Sequence, residues 1–172
     1  MKLLLPILAI FVFLGTGCLG MPRGVKPVRG FDAKRYLGTW YEIARLDHSF
    51  ERGLSRVTAT YSERSDKGIT VKNRGWSQSR KRWKHATGRA YFVNSSSEGY
   101  LKVTFFWPFY GSYVIFDLDP EYRYAFVSGD NTSYLWLLSR TPTVPPEITA
   151  KFLKRAEALG FKTKNLIFVP QK

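Results

Sequence analysis

Most of the chain consists of short stretches in which apolar and polar side chains alternate, as they do in half-buried β-strands. Turn signals such as Asp66-Lys67-Gly68 and Gly129-Asp130-Asn131 separate these stretches, and no helical pattern lies between them. This order predicts an antiparallel meander of eight strands. The predicted strands cover residues 39–46, 55–63, 69–76, 85–93, 100–106, 111–118, 121–128 and 134–140.

The apolar positions continue from strand to strand, so that the sheet would have one apolar face. In the second strand Val57, Ala59 and Tyr61 share a face, and Thr58 and Thr60 lie opposite. An open sheet of this kind would leave two exposed edges, which closure removes. We therefore predict an all-β fold, an eight-stranded antiparallel up-and-down β-barrel whose interior can hold one small ligand. A β-sandwich is the structural alternative, because periodicity alone does not exclude it.

The first strand and the end of the chain depart from this pattern. In the strand at 39–46, Glu42 lies at an even position and Arg45 at an odd one, so alternation places them on opposite faces. Neither face is wholly polar, which predicts that other parts of the protein cover both faces of this strand. After Pro145-Pro146 the period becomes helical, and Gly160 ends it. We predict one C-terminal α-helix packed outside the barrel, and a last short strand at 165–169. The apolar stripe of the helix is Ile148, Phe152, Ala156 and Leu159.

The N-terminus carries export signals. Residues 1–17 combine Lys2, an apolar run and small residues, which predicts a secretory signal peptide. Cys18, the one cysteine of the chain, follows directly and predicts lipidation of the mature N-terminus, although Gly15 departs from the usual lipobox; an ordinary signal peptide is the alternative. Residues 18–30 contain Pro and Gly among basic residues and predict a tether with little structure.

The charge of the chain favours anionic partners. The formal net charge is +14, and removal of residues 1–17 takes away one positive charge, leaving about +13. Phospholipid head groups and other anionic surfaces fit this balance, whereas export argues against nucleic acid. The densest basic run, residues 80–85, is either a solvated loop or a patch that faces a membrane.

The inventory of reactive side chains favours a non-enzyme. His48 and His85 are the only histidines, no second cysteine accompanies Cys18, and no cluster has the spacing of a metal site. No nucleophile elbow or glycine-rich phosphate loop is present in the sequence. We therefore predict no catalytic residues, no metal and no cofactor.

Six motifs occur in this order between residues 35 and 142: RYLGTWYEIAR, FERGL, VTATY, GRAYF, FWPFYG and YLWLLSRTP. The resemblance that they carry covers about residues 31–170. With these motifs the chain resembles the lipocalins, and most closely the lipocalins of the bacterial outer membrane. The resemblance implies a barrel domain over residues 31–172, and closure of one barrel end by Gly38, Trp40 and Arg140, with Arg140 in a cation–π contact over Trp40. It also implies a lipid-anchored protein on the periplasmic side of the outer membrane, which binds a fatty acid or a lysophospholipid.

The interior should therefore be an apolar cavity, in which small residues such as Gly88 leave room. Other hydrophobic ligands, an isoprenoid or a tetrapyrrole, are alternatives, as is a structural envelope lipoprotein without a ligand. The aromatic hairpin at 105–111 predicts exposed rings at a membrane contact, a cavity rim or the face of a homodimer. The candidate ligand-binding residues are Ala59, Tyr61, Val71, Ala90, Val103, Phe105, Phe126, Trp136 and Leu138.

Overall fold

A computed structural model describes residues 19–172 of the chain. The predicted signal peptide and the predicted lipidation site at Cys18 lie outside the described residues. The strands are β1 Gly38–Leu46, β2 Leu54–Glu63, β3 Ile69–Ser77, β4 Arg82–Phe92, β5 Tyr100–Phe106, β6 Phe109–Leu118, β7 Tyr124–Ser128, β8 Leu135–Ser139 and β9 Leu166–Phe168. The helices are α1 Ala33–Tyr36, α2 Pro146–Ala158 and the 3-10 turn Thr163–Asn165.

The sheet closes into a barrel, which confirms the predicted fold class. Strands β1 to β8 pair antiparallel in chain order, and β1 returns to pair with β8 as well as β2. The first half of β1, Gly38 to Tyr41, pairs with β2, while its second half pairs with β9. Strand β9 thus covers the edge that β1 would expose where it parts from β2.

One apolar layer lies outside the barrel wall, under α2. The helix buries Phe152 and Ala156 completely, and Ile148 and Leu159 pack beside them, as the predicted stripe requires. Gly160 has φ +82°, a conformation that favours glycine, and it follows the end of the helix. The Phe126 ring lies 5.0 Å from Phe152 in this layer. Phe126 was therefore wrongly predicted to line the cavity: its neighbours in β7, Ala125 and Val127, face the interior instead.

The closed end of the barrel is a compact stack around Trp40, which is fully buried. The Trp40 indole donates to the carbonyl of Tyr36 at 2.8 Å, and the guanidinium carbon of Arg140 lies 4.0 Å from the centre of the Trp40 ring. Arg140 also donates to the carbonyls of Thr39 and Arg35. Gly38 has φ +92°, and a Cβ there would come within 3.3 Å of Arg140. This is the arrangement that the resemblance implied.

The segment before the barrel is more ordered than predicted. It has no regular helix or strand within residues 19–30, but Val25 is buried in the layer under α2. The backbone of Val28 accepts from Gly99 and donates to Ile115, each at 2.9 Å. The expectation of a tether with little structure is corrected for these residues, because apolar side chains and backbone hydrogen bonds hold the segment along β5 and β6.

No helix within residues 19–172 is long and apolar enough to cross a membrane.

Candidate ligand-binding cavity

The barrel encloses a cavity of about 400 Å³ above the closed end. In an antiparallel meander alternate connections share an end, so the β1–β2, β3–β4, β5–β6 and β7–β8 connections lie together at the other end. The cavity is lined by residues from or next to three of these connections, namely Phe50, Tyr110 and Tyr134. The cavity is therefore open toward these loops, and this end is called the open end below.

Most of the predicted ligand-binding residues surround this cavity. Strand alternation turns them inward, since they occupy every second position of their strands. Ala59 pairs with Trp40 and therefore lies next to the residue that fills the closed end of the barrel. The predicted residues that line the cavity are Ala59, Tyr61, Val71, Val103, Phe105, Trp136 and Leu138.

Two small residues do not leave the room that the sequence suggested. Ala90 faces inward but is buried in the packed cluster near the closed end with Tyr61, Ile69 and Leu101, and it does not line the cavity. A Cβ on Gly88 would meet the carbonyl of Thr104 at 2.6 Å and the Phe105 ring at 2.9 Å. The space that Gly88 vacates is thus already filled by neighbouring β5.

Three tyrosine hydroxyls form a hydrogen-bonded polar cluster deep in the cavity. Tyr113 Oη lies 2.8 Å from Tyr61 Oη and 2.7 Å from Tyr36 Oη, and Tyr61 and Tyr113 line the cavity. Burial raises the pKa of all three phenols, so they stay neutral. A chain of three neutral hydroxyls can both donate and accept. The sequence prediction included Tyr61 but missed Tyr113, whose strand is apolar on both faces.

A buried group of charged side chains forms one wall of the cavity. Arg45 Nη1 donates to Glu42 Oε1 at 2.6 Å, and Arg45 Nη2 donates to the carbonyls of Glu51 and Leu54. Glu51 Oε2 accepts from Trp136 Nε1 at 3.1 Å and lies 3.0 Å from His48 Nε2. Glu42 and Glu51 line the cavity. The wall therefore combines two carboxyl groups with one guanidinium, which hydrogen bonds hold in place.

A β-bulge brings these residues together. The register of β1 against β8 shifts between Glu42 and Ala44, and the extra residue changes the alternation of the strand. Arg45, predicted on the face opposite Glu42, instead reaches the Glu42 carboxyl. The sequence signal that could have found the pair is the i, i+3 spacing of a glutamate and an arginine in an otherwise apolar strand.

The two carboxyl groups titrate differently. Burial, and next the negative charge of Glu51, raise the pKa of Glu42 well above its ordinary value. Burial, the largest influence, also raises the pKa of Glu51, but its contacts with His48, Trp136 and Arg45 together outweigh burial and lower the pKa of that carboxyl. The ionised form is therefore favoured at Glu51 and disfavoured at Glu42.

This assignment predicts a change in the pH dependence of stability. As pH rises above the ordinary glutamate pKa, Glu42 ionises in the unfolded chain but stays protonated in the fold, so the folded protein loses stability. A Glu42→Gln variant lacks this loss. It should therefore gain stability relative to wild type at pH values between the ordinary glutamate pKa and the raised pKa of Glu42. Urea unfolding at a series of pH values measures it, and parallel stability curves for the two proteins would contradict it.

A second pocket of about 330 Å³ adjoins the cavity. Five residues line both spaces, so the two pockets adjoin along a shared boundary: Phe50, Glu51, Val57, Asn73 and Phe105. The second pocket adds Lys84 of β4, which pairs with Gly75 on the inner face of the strands. Arg74 and His85 border this pocket, but their side chains are exposed on the outer face. The apolar cavity thus adjoins a space that contains a cationic side chain at the open end.

Within residues 19–172 no group of three or more His, Cys, Asp or Glu side chains could hold a metal ion.

Comparison with known proteins agrees with this architecture. The sequence profile of the lipocalin-like domain matches residues 31–171. The outer membrane lipoprotein Blc of Vibrio cholerae is 62% identical over 169 residues, which cover 95% of this chain and 99% of that protein. Blc of Escherichia coli K12 is 51% identical over 172 residues, with 98% and 97% covered. The solved structure of the cockroach allergen Per a 4 shares the fold, with a TM-score of 0.69 at 20% identity over 89% of this chain and 96% of that one.

The predicted location at the bacterial outer membrane is the location that the names of the Blc relatives carry. The closed eight-stranded barrel, the external helix and the match over residues 31–171 lead to one assignment. The chain belongs to the lipocalin family.

Proposed function

We propose that this lipocalin holds a fatty acid or a lysophospholipid in its cavity at the outer membrane and serves storage, transport or maintenance of membrane lipids. The observation that carries the proposal is the position of the apolar cavity next to a pocket that contains Lys84 at the open end. A ligand with one long apolar tail and one anionic head matches both spaces. The lipid anchor at Cys18 stays part of the proposal.

Burial of the tail supplies the affinity. Val71, Val103 and Leu138 line the cavity as apolar side chains, and an acyl chain among them leaves water. Ten buried methylenes would contribute about 8 kcal/mol at about 0.8 kcal/mol each, which corresponds to a Kd of about 1 μM. Longer chains add to this value, while the ordering of a flexible chain reduces it.

The head group has a partner at the open end. Lys84 lines the second pocket and forms no ion pair with another described residue. A phosphate or carboxylate at this place would receive charge-assisted hydrogen bonds. Glu51 lines both spaces and does not distinguish the two orientations, whereas Lys84 lines only the second pocket. The positive charge of Lys84 therefore favours tail-first binding.

The cavity also bears on the alternative of a structural lipoprotein without a ligand. A barrel with that role alone would be expected to fill its interior with side chains. Here the interior keeps about 400 Å³ free beside a packed closed end. The free volume supports a carrier.

Native mass spectrometry of the mature chain with Cys18→Ser, followed by extraction and identification of bound lipid, tests the proposal. A one-to-one adduct with the mass of a fatty acid or lysophospholipid is the expected result. A sample without adduct should gain one after incubation with lysophosphatidylglycerol. A mass that stays unchanged at micromolar concentrations, or an adduct that proves to be an isoprenoid or a tetrapyrrole, would contradict it.

A further inference from the structure

Large apolar side chains are exposed at the tip of the β5–β6 hairpin. Phe106 and Trp107 are each 77% exposed and Phe109 is 61% exposed, in a turn closed by Pro108. The prediction of exposed rings in this hairpin is therefore confirmed. Three adjacent aromatic side chains in water form a patch of the kind that marks an interaction surface.

A neighbouring hairpin at the same end carries positive charge. Arg80, Lys81 and Arg82 at the β3–β4 turn are exposed, and none of them forms an ion pair with another residue of the 19–172 range. Behind the turn, the Arg74 guanidinium lies 3.6 Å from the ring centre of Trp83. Unpaired cations beside aromatic rings favour a surface with anionic groups over an apolar core.

The start of the described chain lies on the same part of the barrel. The segment from Phe31 back to Gly20 runs along β5 and β6, and Gly20 N donates to Ser112 Oγ at 2.9 Å. Ser112 lies three positions after Phe109, the first residue of β6. The chain that continues toward the predicted lipid anchor therefore leaves the barrel near the aromatic hairpin. An anchor at that position would hold the open end toward the membrane.

We propose that the open end docks on the surface of a lipid bilayer that bears anionic phosphate head groups. Phe106, Trp107 and Phe109 enter the boundary between head groups and acyl chains, where exposed aromatic residues are favoured. Arg80, Lys81 and Arg82 pair with phosphates beside them. The mouth of the cavity then faces the bilayer, so that a single-chain lipid can pass between membrane and barrel without crossing bulk water. Only this last consequence rests on the proposed function.

The test uses the full chain, expressed with its leader in a Gram-negative host, purified in detergent and reconstituted on vesicles of phosphatidylethanolamine and phosphatidylglycerol. A fluorescent dye is attached at Trp107→Cys, and lipids with a spin label on the acyl chain quench it if it enters the bilayer. The matched control carries the dye at Ser96→Cys, an exposed position in the β4–β5 loop at the closed end. A chain without an added cysteine reports any labelling at Cys18.

Docking predicts strong quenching at position 107 and none at position 96. Charge reversal at Arg80, Lys81 and Arg82 to Glu should reduce the quenching at position 107 by about half or more. Equal quenching at both positions, or none at position 107, would overturn docking. In detergent, the dye at position 107 could become shielded as the protein concentration rises. That result would overturn docking and assign the patch to contact with a second copy of the chain.

Lipid uptake by the same variants separates the two proposals. A chain that takes up lysophosphatidylglycerol but shows no quenching at position 107 overturns docking alone. Quenching at position 107 without lipid uptake overturns the proposed function and leaves the docking surface in place.

Discussion

An Ala59→Trp variant is expected to lose affinity for a single-chain lipid by about 100-fold or more. Ala59 faces the cavity from β2 beside Trp40, and an indole at this position occupies space that the end of an acyl chain would use. Exclusion of about four methylenes removes about 3 kcal/mol, which corresponds to this factor. Titration with a fluorescent fatty acid measures the change in Kd.

The matched control is Thr58→Trp, one position earlier in β2. Alternation turns Thr58 to the outer face of the barrel, so the same indole lies outside the cavity and the Kd should stay that of wild type. Thermal unfolding of both variants checks the fold, because an added indole in a packed interior lowers stability by about 1–3 kcal/mol. Wild-type affinity in a folded Ala59→Trp variant would show that the ligand does not occupy the cavity.

Replacement of Arg45 by methionine is expected to lower the free energy of unfolding by about 3–5 kcal/mol. Arg45 is 1% exposed, and its guanidinium donates to Glu42 and to the carbonyls of Glu51 and Leu54. Methionine keeps the apolar part of the side chain but leaves these buried acceptors without donors. It also removes the positive charge beside the ionised Glu51 carboxylate. Urea denaturation at neutral pH measures the loss.

Arg52→Met is the comparison for this effect. Arg52 lies in the same β1–β2 connection and pairs with Asp47, but its side chain is 66% exposed. An exposed pair contributes about 0–1 kcal/mol, so this variant should unfold nearly as wild type does. A loss below about 1 kcal/mol for Arg45→Met as well would mean that water reaches the buried wall and replaces the guanidinium.

The buried wall and the Arg140 stack differ in what their positive charges do. Arg140 covers Trp40 at the closed end, where nearby carbonyls accept its hydrogen bonds. Arg45 instead donates to the Glu42 carboxyl and to the Glu51 backbone carbonyl, beside two carboxyl groups whose pKa values shift in opposite directions. The closed end thus depends on shape and hydrogen bonding, whereas the wall makes the polarity of the cavity sensitive to pH.

Local patterns in the sequence were sufficient for the secondary structure. The predicted strand at 100–106 matches β5 at both bounds, and the α2 stripe buries Phe152 and Ala156 as predicted. Some strand starts were misplaced: β4 begins at Arg82 rather than at 85, and β6 at Phe109 rather than at 111. Strand β7 begins at Tyr124 rather than at 121, because the Asp119 carboxylate accepts from the backbone of Glu121 and Arg123 and holds a turn there. Alternation and turn residues act within a few positions, which is why they can be read without the fold.

The family assignment also came from the sequence, through the ordered motifs from RYLGTWYEIAR to YLWLLSRTP. These motifs contain the residues of the closed end, including Gly38, Trp40 and Arg140. Arg140 lies about 100 positions after the other two and meets them only through closure of the barrel. The resemblance therefore carried contact information that periodicity does not contain.

The composition of the cavity was decided by the tertiary structure. Phe126 and its neighbours Ala125 and Val127 are all apolar, so alternation alone could not say which face lies under α2 and which faces inward. A bulge in β1, invisible in the hydrophobic pattern, brought Arg45 to Glu42. A strand covered on both sides has two apolar faces, and only the placement of the helix and the register of neighbouring strands distinguish its inside from its outside.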